Sequence, residues 1–444
     1  MAAYLNRLHH ISLHVSRVGN IASDLVSKLK FDLFAARLTD ETRQLAFRRG
    51  AAVFVVNERP PHGGGGTESL PVTLNGTIDP REGWEAEEET TLDGDTCRRY
   101  LYGVDSPPHS NVDTVCNVCF EVRDVERSSR ALRDLGCVLL VPPTVVRDGG
   151  GEVTYTVVRS IVGNVCHTLL DRSRYEGTFL PGFRDVAAQA DASSCPVTHF
   201  DHITYACQTK TTAQVMQWYE KCFGFQRFYL HSDEEEAEGY VLKGEGIGLR
   251  LTAMEYWKCS KAGMTLSFGG EKEPDCKFVV AESLPGQGSN QINTFLQQHG
   301  GPGIQHIGLY TNDIVSTAQE MAEAGVQFFA PPPTYYEEVG KRQEIEAAGH
   351  SPERLSRHGI LLDTDLRHRA HDQTTADADV RYLLQVFTKP IFAEDTFFLE
   401  LIERQGASGF GEGNIRALWR SVQAYMEKER EEKGPASIVQ RGRH

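Results

Sequence analysis

Four segments of the chain alternate apolar and polar side chains as a half-buried strand does. They are LHHISLHV from Leu8, VCNVCFEV from Val115, FDHITYAC from Phe200 and IQHIGLYT from Ile304. Each is followed by a stretch with helical spacing, then by an apolar residue that re-enters strand. The pairs are Ile21 to Leu29 with Phe31, Val125 to Leu135 with Val138, Val215 to Phe223 with Phe225, and Ile314 to Ala324 with Val326. The unit is therefore strand, helix and further strands, repeated with a period of about 100 residues. Two units make one domain of α+β class. The small, polar stretch DVAAQADASSC predicts a linker over residues 185–195, between a first domain at 1–184 and a second at 196–444. Two inserts break the pattern. Arg59 to Thr67 is rich in Pro and Gly and reads as a surface loop; Gly340 to Asp379, charged and histidine-bearing, reads as an exposed, partly disordered excursion.

Aligning the four first strands brings His10, Asn117, His202 and His306 to one position. Aligning the last strand of each domain places Glu400, in TFFLELIER, against Thr168, in VCHTLLDR. Period 2 puts Phe398, Glu400 and Ile402 on one strand face and Phe397, Leu399 and Leu401 on the other. A carboxylate among such neighbours is costly unless paired or metal-bound. Two imidazoles and one carboxylate with open positions form the usual non-haem iron(II) set. His202, His306 and Glu400 are therefore the expected ligands of Fe(2+). A single strand histidine is more often a satisfied core residue, and the first domain, which keeps only His10, is expected to bind no metal. After Glu400, Asn414 reads as a helix N-cap. Ile415, Leu418, Trp419, Val422 and Met426 then make one apolar stripe, expected to lie as a lid over the cavity.

Composition narrows the alternatives. The chain has 444 residues, 40% hydrophobic and 24% charged, and a formal charge of −15. That balance argues against a nucleic-acid partner. No apolar run reaches the roughly 18 residues of a membrane span. The ten cysteines suit a reducing compartment. The CxxC of Cys116 and Cys119 lacks a second pair at zinc-finger spacing. GFGEGN, between a strand and a helix, has Asn414 where a dinucleotide loop needs its third glycine, and no βαβ unit follows. Arg7, Arg17 and Lys28, with Asp24 as the one carboxylate before Asp32, resemble a mitochondrial presequence.

The module duplication resembles the vicinal oxygen chelate fold, in which paired βαβββ units enclose a metal. More specifically, HGGPGIQHIGLYTNDI from His299, SNQINTF from Ser289, YLLQVFTKP from Tyr382 and FFLELIER with GFGEGN through Asn414 resemble 4-hydroxyphenylpyruvate dioxygenases. RQLAFRRGAAVFVVNE from Arg43 resembles an animal branch of that family, and the likeness covers the chain apart from the two inserts. The resemblance implies iron ligation by His202, His306 and Glu400. It implies glutamines around the substrate at Gln291, Gln305 and Gln385, an aromatic wall of Phe387, Phe398 and Phe410, and Asn414 at the helix start. It implies a 2-oxo acid, 4-hydroxyphenylpyruvate, and O2 as partners, with a homodimer as the assembly. Three positions depart from the dioxygenases. Ala281 stands for a substrate-contacting Asn, Leu251 for a pocket Ser, and Ile415 for an aromatic residue; the related 4-hydroxymandelate synthases resemble this chain in having isoleucine there. The expected product is therefore 4-hydroxymandelate, and the resemblance implies a mitochondrial role supplying the ubiquinone head-group precursor. Homogentisate formation in tyrosine breakdown is the alternative within the same enzyme class, and a catalytically silent scaffold is the alternative outside it.

Overall fold

Each repeated segment forms the first strand of a module. The first module holds β1 (Leu5–Val15), α1 (Val18–Ser27), β2 (Asp32–Leu38), β3 (Arg43–Arg49) and β4 (Ala52–Glu58). The second holds β5 (Thr114–Val122), α2 (Val125–Asp134), β6 (Leu139–Asp148), β7 (Gly151–Arg159) and β8 (Cys166–Tyr175), followed by the short β9 (Arg184–Asp185). The third holds β10 (Val197–Cys207), α3 (Thr212–Phe223), β11 (Phe225–Phe228), β12 (Tyr240–Gly244) and β13 (Ile247–Tyr256). A separate pair, β14 (Ser267–Phe268) and β15 (Glu271–Lys272), precedes its last strand, β16 (Lys277–Ser283). Helix α4 (Gln291–His299) leads to the fourth module of β17 (Gly303–Thr311), α5 (Ile314–Glu323), β18 (Leu361–Thr364), β19 (Tyr382–Phe387) and β20 (Phe398–Gln405). This computed structural model describes residues 2–39, 42–59, 101–103, 112–186, 195–229, 234, 239–244, 247–256, 267–268, 271–272, 276–286, 290–364, 381–407, 409–411, 413–415 and 417. No helix among them is long and apolar enough to cross a membrane.

The strands form two main sheets, in the orders β6-β7-β8-β5-β1-β4-β3-β2-β9 and β11-β13-β16-β10-β17-β20-β19-β18, with β12 on β13. In every module the first strand runs parallel to the last. A parallel pair needs a long crossover, which the helix supplies. The two modules of each sheet join through antiparallel first strands, β1 with β5 and β10 with β17. This is the paired βαβββ architecture of the vicinal oxygen chelate fold. Local chemistry sets the helix ends. The Asp124 and Asp313 carboxylates accept the Arg127 and Ser316 amides as N-caps, and Asn290 accepts those of Ile292 and Asn293. One large apolar cluster runs from β1, β5 and α1 to β10, β17 and β20 and takes in Leu399 and Leu401, so both sheets bury a face in a shared core. Phe398 belongs to a different cluster on the opposite face, as strand alternation requires.

Three expectations need correction. Residues 340–364 are not an excursion: α6 (Thr334–Glu337), α7 (Val339–Ala347) and α8 (Pro352–Ser356) precede β18, which is an edge strand of the second sheet. Ile345, Leu355 and Ile360 are fully buried there. The charges that suggested a solvated loop lie on exposed faces, as in the Arg342–Glu346 and Arg342–Glu353 pairs. The rest of that insert, 365–380, lies outside the described residues, as does the Arg59 to Thr67 loop beyond Arg59. Asp185 pairs with Ala35 at the edge of the first sheet, whereas 187–194 of the predicted linker lie outside the described residues. Asn414 is helical rather than capping, because the helix has begun by Gly413, whose amide donates to Asp363 at 3.1 Å. Leu418, Trp419, Val422 and Met426 of the predicted lid lie outside the described residues.

Candidate metal centre

His202 on β10, His306 on β17 and Glu400 on β20 converge, with one donor atom of each within 4.8 Å of the others. Strand register explains the convergence. Gly308 lies opposite His202 on one side and beside Glu400 on the other. The His202 ring packs over it, where an added Cβ would stand 2.4 Å from Cε1. The missing side chain leaves the ring a direct line to the carboxylate two strands away. His202 Nε2 lies 3.1 Å and His306 Nε2 3.7 Å from the same oxygen, Glu400 Oε2.

The outer atom of every ligand is held by a neighbour. His202 Nδ1 donates to Asp201 Oδ1 at 2.9 Å, and His306 Nδ1 donates to Gln305 Oε1 at 3.1 Å. Such bonds fix the tautomer and leave Nε2 free to ligate a metal. Glu400 Oε1 accepts from Gln385 Nε2 at 2.8 Å, which leaves Oε2 for a metal. Gln385 also donates to the Phe410 carbonyl at 3.1 Å and accepts from Asn414 Nδ2 at 3.0 Å. Asn414 Oδ1 in turn accepts from the Tyr335 hydroxyl at 2.9 Å. Gln385 directly, and Asn414 through it, thus hold the Glu400 carboxylate.

Asp201 and Arg404 are functional residues that sequence reasoning missed. Strand alternation places Asp201 on the face opposite His202, but a register shift between Phe200 and His202 lets the two side chains meet. Arg404 grips Asp201 with Nε at 2.7 Å and Nη2 at 2.8 Å, and its Nη1 reaches the carbonyls of Ala407 and Gly409. Burial opposes the Asp201 charge, yet the guanidinium holds the carboxyl well below its usual range. Burial also opposes a charge on His202, but Glu400 and Asp201 raise its pKa to about 9. Burial and the neighbouring His202 hold His306 well below its ordinary value. The donor set fits a divalent metal: two imidazole nitrogens with fixed tautomers face one carboxylate oxygen inside the fold.

The walls follow the expected residues. Phe398 stacks on His306 with centroids 4.7 Å apart, and Phe410 meets His202 edge-on at 5.2 Å. Phe387 packs with Phe398, Leu361 and Ala417. Leu251, Ala281 and Phe410 share a second apolar cluster, against which Ile415 packs. Leu251 and Ala281 are direct cross-strand neighbours. The first turn of α4, whose Ile292 is in that cluster, carries Gln291, and its buried Oε1 has no hydrogen-bond partner among the described residues.

The equivalent place in the first domain is filled differently. Asn117 Nδ2 donates to Thr168 Oγ1 at 2.9 Å, and that hydroxyl donates to the Tyr102 carbonyl at 2.6 Å. His10 shares a 2.7 Å Nδ1–Nδ1 hydrogen bond with His9, and both lie near Cys119. His9 stands where the second domain has Asp201, and Arg172, the counterpart of Arg404, turns to the Gly177 carbonyl instead.

Relatives match the whole chain. It is 43% identical over 95% of its length to the 4-hydroxyphenylpyruvate dioxygenase-like protein of Rattus norvegicus, covering 98% of that protein. It is 41% identical to the protein of the same name from Homo sapiens, with 97% of this chain and 100% of that one aligned. With 4-hydroxyphenylpyruvate dioxygenase of Pyricularia oryzae it shares 30% identity over 78% of this chain and 75% of that one. The chain belongs to the 4-hydroxyphenylpyruvate dioxygenase family. Residues 199–346 match the model of the Glyoxalase/Bleomycin resistance protein/Dioxygenase superfamily. Family membership and the fold agree: a triple mutant of 4-hydroxymandelate synthase from Streptomyces coelicolor superposes with a TM-score of 0.66 at 22% identity, over 95% of this chain and 99% of that one.

Proposed function

We propose that the chain is an iron(II)-dependent dioxygenase that converts 4-hydroxyphenylpyruvate and O2 to 4-hydroxymandelate and CO2, and that it works in the mitochondrion, feeding ubiquinone head-group synthesis. The observation that carries the enzyme class is the convergence of both Nε2 atoms on Glu400 Oε2, with every outer ligand atom already bonded. Iron(II) held there would bind the 2-oxo acid and activate dioxygen, with the substrate supplying the reducing electrons. The residues of the chain do the rest. Asp201 and Gln305 orient the imidazoles, Gln385 orients the carboxylate, and Phe387, Phe398 and Phe410 exclude water and confine the aryl ring. Gln291 Oε1, which has no hydrogen-bond partner among the described residues, is an acceptor available to a substrate hydroxyl.

The product is decided by which carbon the ring position presents. Ring attack followed by side-chain migration gives homogentisate; benzylic attack gives 4-hydroxymandelate. Each ~1.4 kcal/mol between the two barriers is tenfold in product ratio. Ile415 packs in the same cluster as Phe410, Leu251 and Ala281, so the three departures from the dioxygenases act on one wall. Aerobic incubation of purified protein with iron(II) and 4-hydroxyphenylpyruvate, read by product mass and retention time, is expected to give 4-hydroxymandelate. Homogentisate as the main product would sink the product assignment. No turnover, with equally negligible iron in wild type and His306→Ala, would sink the enzyme class in favour of a scaffold.

A further inference from the structure

We propose that Cys137 and Cys222 form an oxidation site, closing to a disulfide that ties the first domain to α3 of the second. None of the eight described cysteines is in a disulfide. Cys137 Sγ and Cys222 Sγ lie 3.5 Å apart although 85 positions separate them in sequence. A disulfide needs about 2.05 Å between sulfurs, so a combined movement of about 1.5 Å closes the bond.

Both cysteines sit on anchored backbone at helix ends. Cys137 follows Gly136, whose φ of +82° turns the chain back, and the Cys137 amide donates to the Leu132 carbonyl of α2 at 3.0 Å. Cys222 lies in the last turn of α3, and its carbonyl accepts the Ala2 and Ala3 amides at 3.0 and 2.9 Å. These bonds hold both backbones in place, so closing the gap needs only side-chain rotation and a small adjustment.

The two thiols differ in a way that divides the labour. Cys137 is half-buried and Cys222 is buried, so an oxidant reaches Cys137 first. Hydrogen bonding with the Cys222 thiol outweighs burial and, with help from the Trp218 side chain, holds the Cys137 pKa below its ordinary value; the same contact and burial push Cys222 up. The oxidant is a hydroperoxide. The Cys137 thiolate attacks one peroxide oxygen; the S–O bond forms, the O–O bond breaks, and the departing hydroxide (from hydrogen peroxide) takes up the proton the thiol had released and leaves as water. The Cys222 sulfur then attacks the sulfenic sulfur; the S–S bond forms, the S–O bond breaks, and a second water leaves. Two thiols are oxidised to one disulfide as one peroxide is reduced.

The full-length protein, freshly reduced and kept in chelator, is treated with one equivalent of hydrogen peroxide and its remaining thiols are alkylated. Digestion without reductant is expected to yield a linked Cys137–Cys222 peptide pair, two fewer alkylated thiols and a higher Tm. Dithiothreitol should reverse all three. Cys137→Ser should abolish the linked pair, and Cys222→Ser should leave Cys137 trapped by a sulfenic-acid reagent. Prior oxidation of other cysteines, or Cys137 passing to sulfinic acid with no linked pair, would overturn the proposal. The wild-type peptide map decides the matter even where a serine variant fails to fold.

Discussion

At the scale of single residues, Asp201 is the side chain on which most depends. It accepts from His202 and is gripped by the half-buried Arg404. Replacing it by asparagine keeps the shape but removes the charge that fixes the His202 tautomer. Asp201→Asn is expected to lower iron affinity about 10–100-fold, measured by competition with a chelator of known strength. An unchanged affinity would show that Glu400 alone orients the ring. Ile415 tests the other half of the site. Ile415→Phe restores an aromatic residue beside Phe410 and is expected to shift the product ratio toward homogentisate by about tenfold or more, the size of one packing change of ~1.4 kcal/mol. Chromatography of the two acids after equal turnover reads the ratio, and no shift would reduce Ile415 to an ordinary core position. The candidate trio was legible from sequence because His202 and His306 recur at one repeat position and Glu400 is a carboxylate on the buried face of a last strand. Asp201 was not, because alternation along a regular strand sends it to the wrong face and only the shift beside His202 brings it back.

Among elements, the helices inserted before β18 changed most on seeing the structure. Their charge reads as solvated chain, yet α6 carries Tyr335, which packs against the core and bonds through its hydroxyl to Leu362 and Asn414. From there the contacts run through Asn414 and Gln385 to Glu400. Helix α6 therefore supports the Glu400 carboxylate from outside the sheet. Leu355 is fully buried between α8 and its neighbours. Leu355→Ala is expected to cost about 2–5 kcal/mol where the site cannot collapse. Urea unfolding measures the loss, and iron loading should weaken with it. A large stability loss with iron affinity intact would show that these helices do not reach the site. A short run of helices with few apolar positions each gives a weak periodic signal, so sequence could not separate it from a loop.

Across the whole molecule the two halves meet through buried polar groups as well as apolar ones. Tyr219 of α3 bonds to His167 Nε2 at 2.8 Å, to Ser160 at 3.1 Å and to Tyr205 at 3.0 Å. Burial pushes the His167 pKa from 6.5 down to about 4, and lowers His199 to about 4 as well. The unfolded chain binds these protons more readily than the folded one. Their stability contribution is therefore complete above about pH 6.5 and is lost as pH falls through about 4. The urea midpoint should drop across that interval. His167→Gln, which retains a polar side chain facing Tyr219, should flatten the drop; an equally steep drop would place its origin elsewhere.

What the sequence determined by itself was the fourfold repeat, the strand faces, and the candidate trio of His202, His306 and Glu400. Periodicity and recurrence belong to each strand alone, so they survive without knowledge of its neighbours. The tertiary structure decided which residues stand behind the ligands, that Leu251, Ala281 and Ile415 share one wall, and that Cys137 meets Cys222. Those facts depend on register between strands and on the seating of one domain against the other. A shift of one residue reverses a side chain's face, and no local pattern records where such a shift occurs.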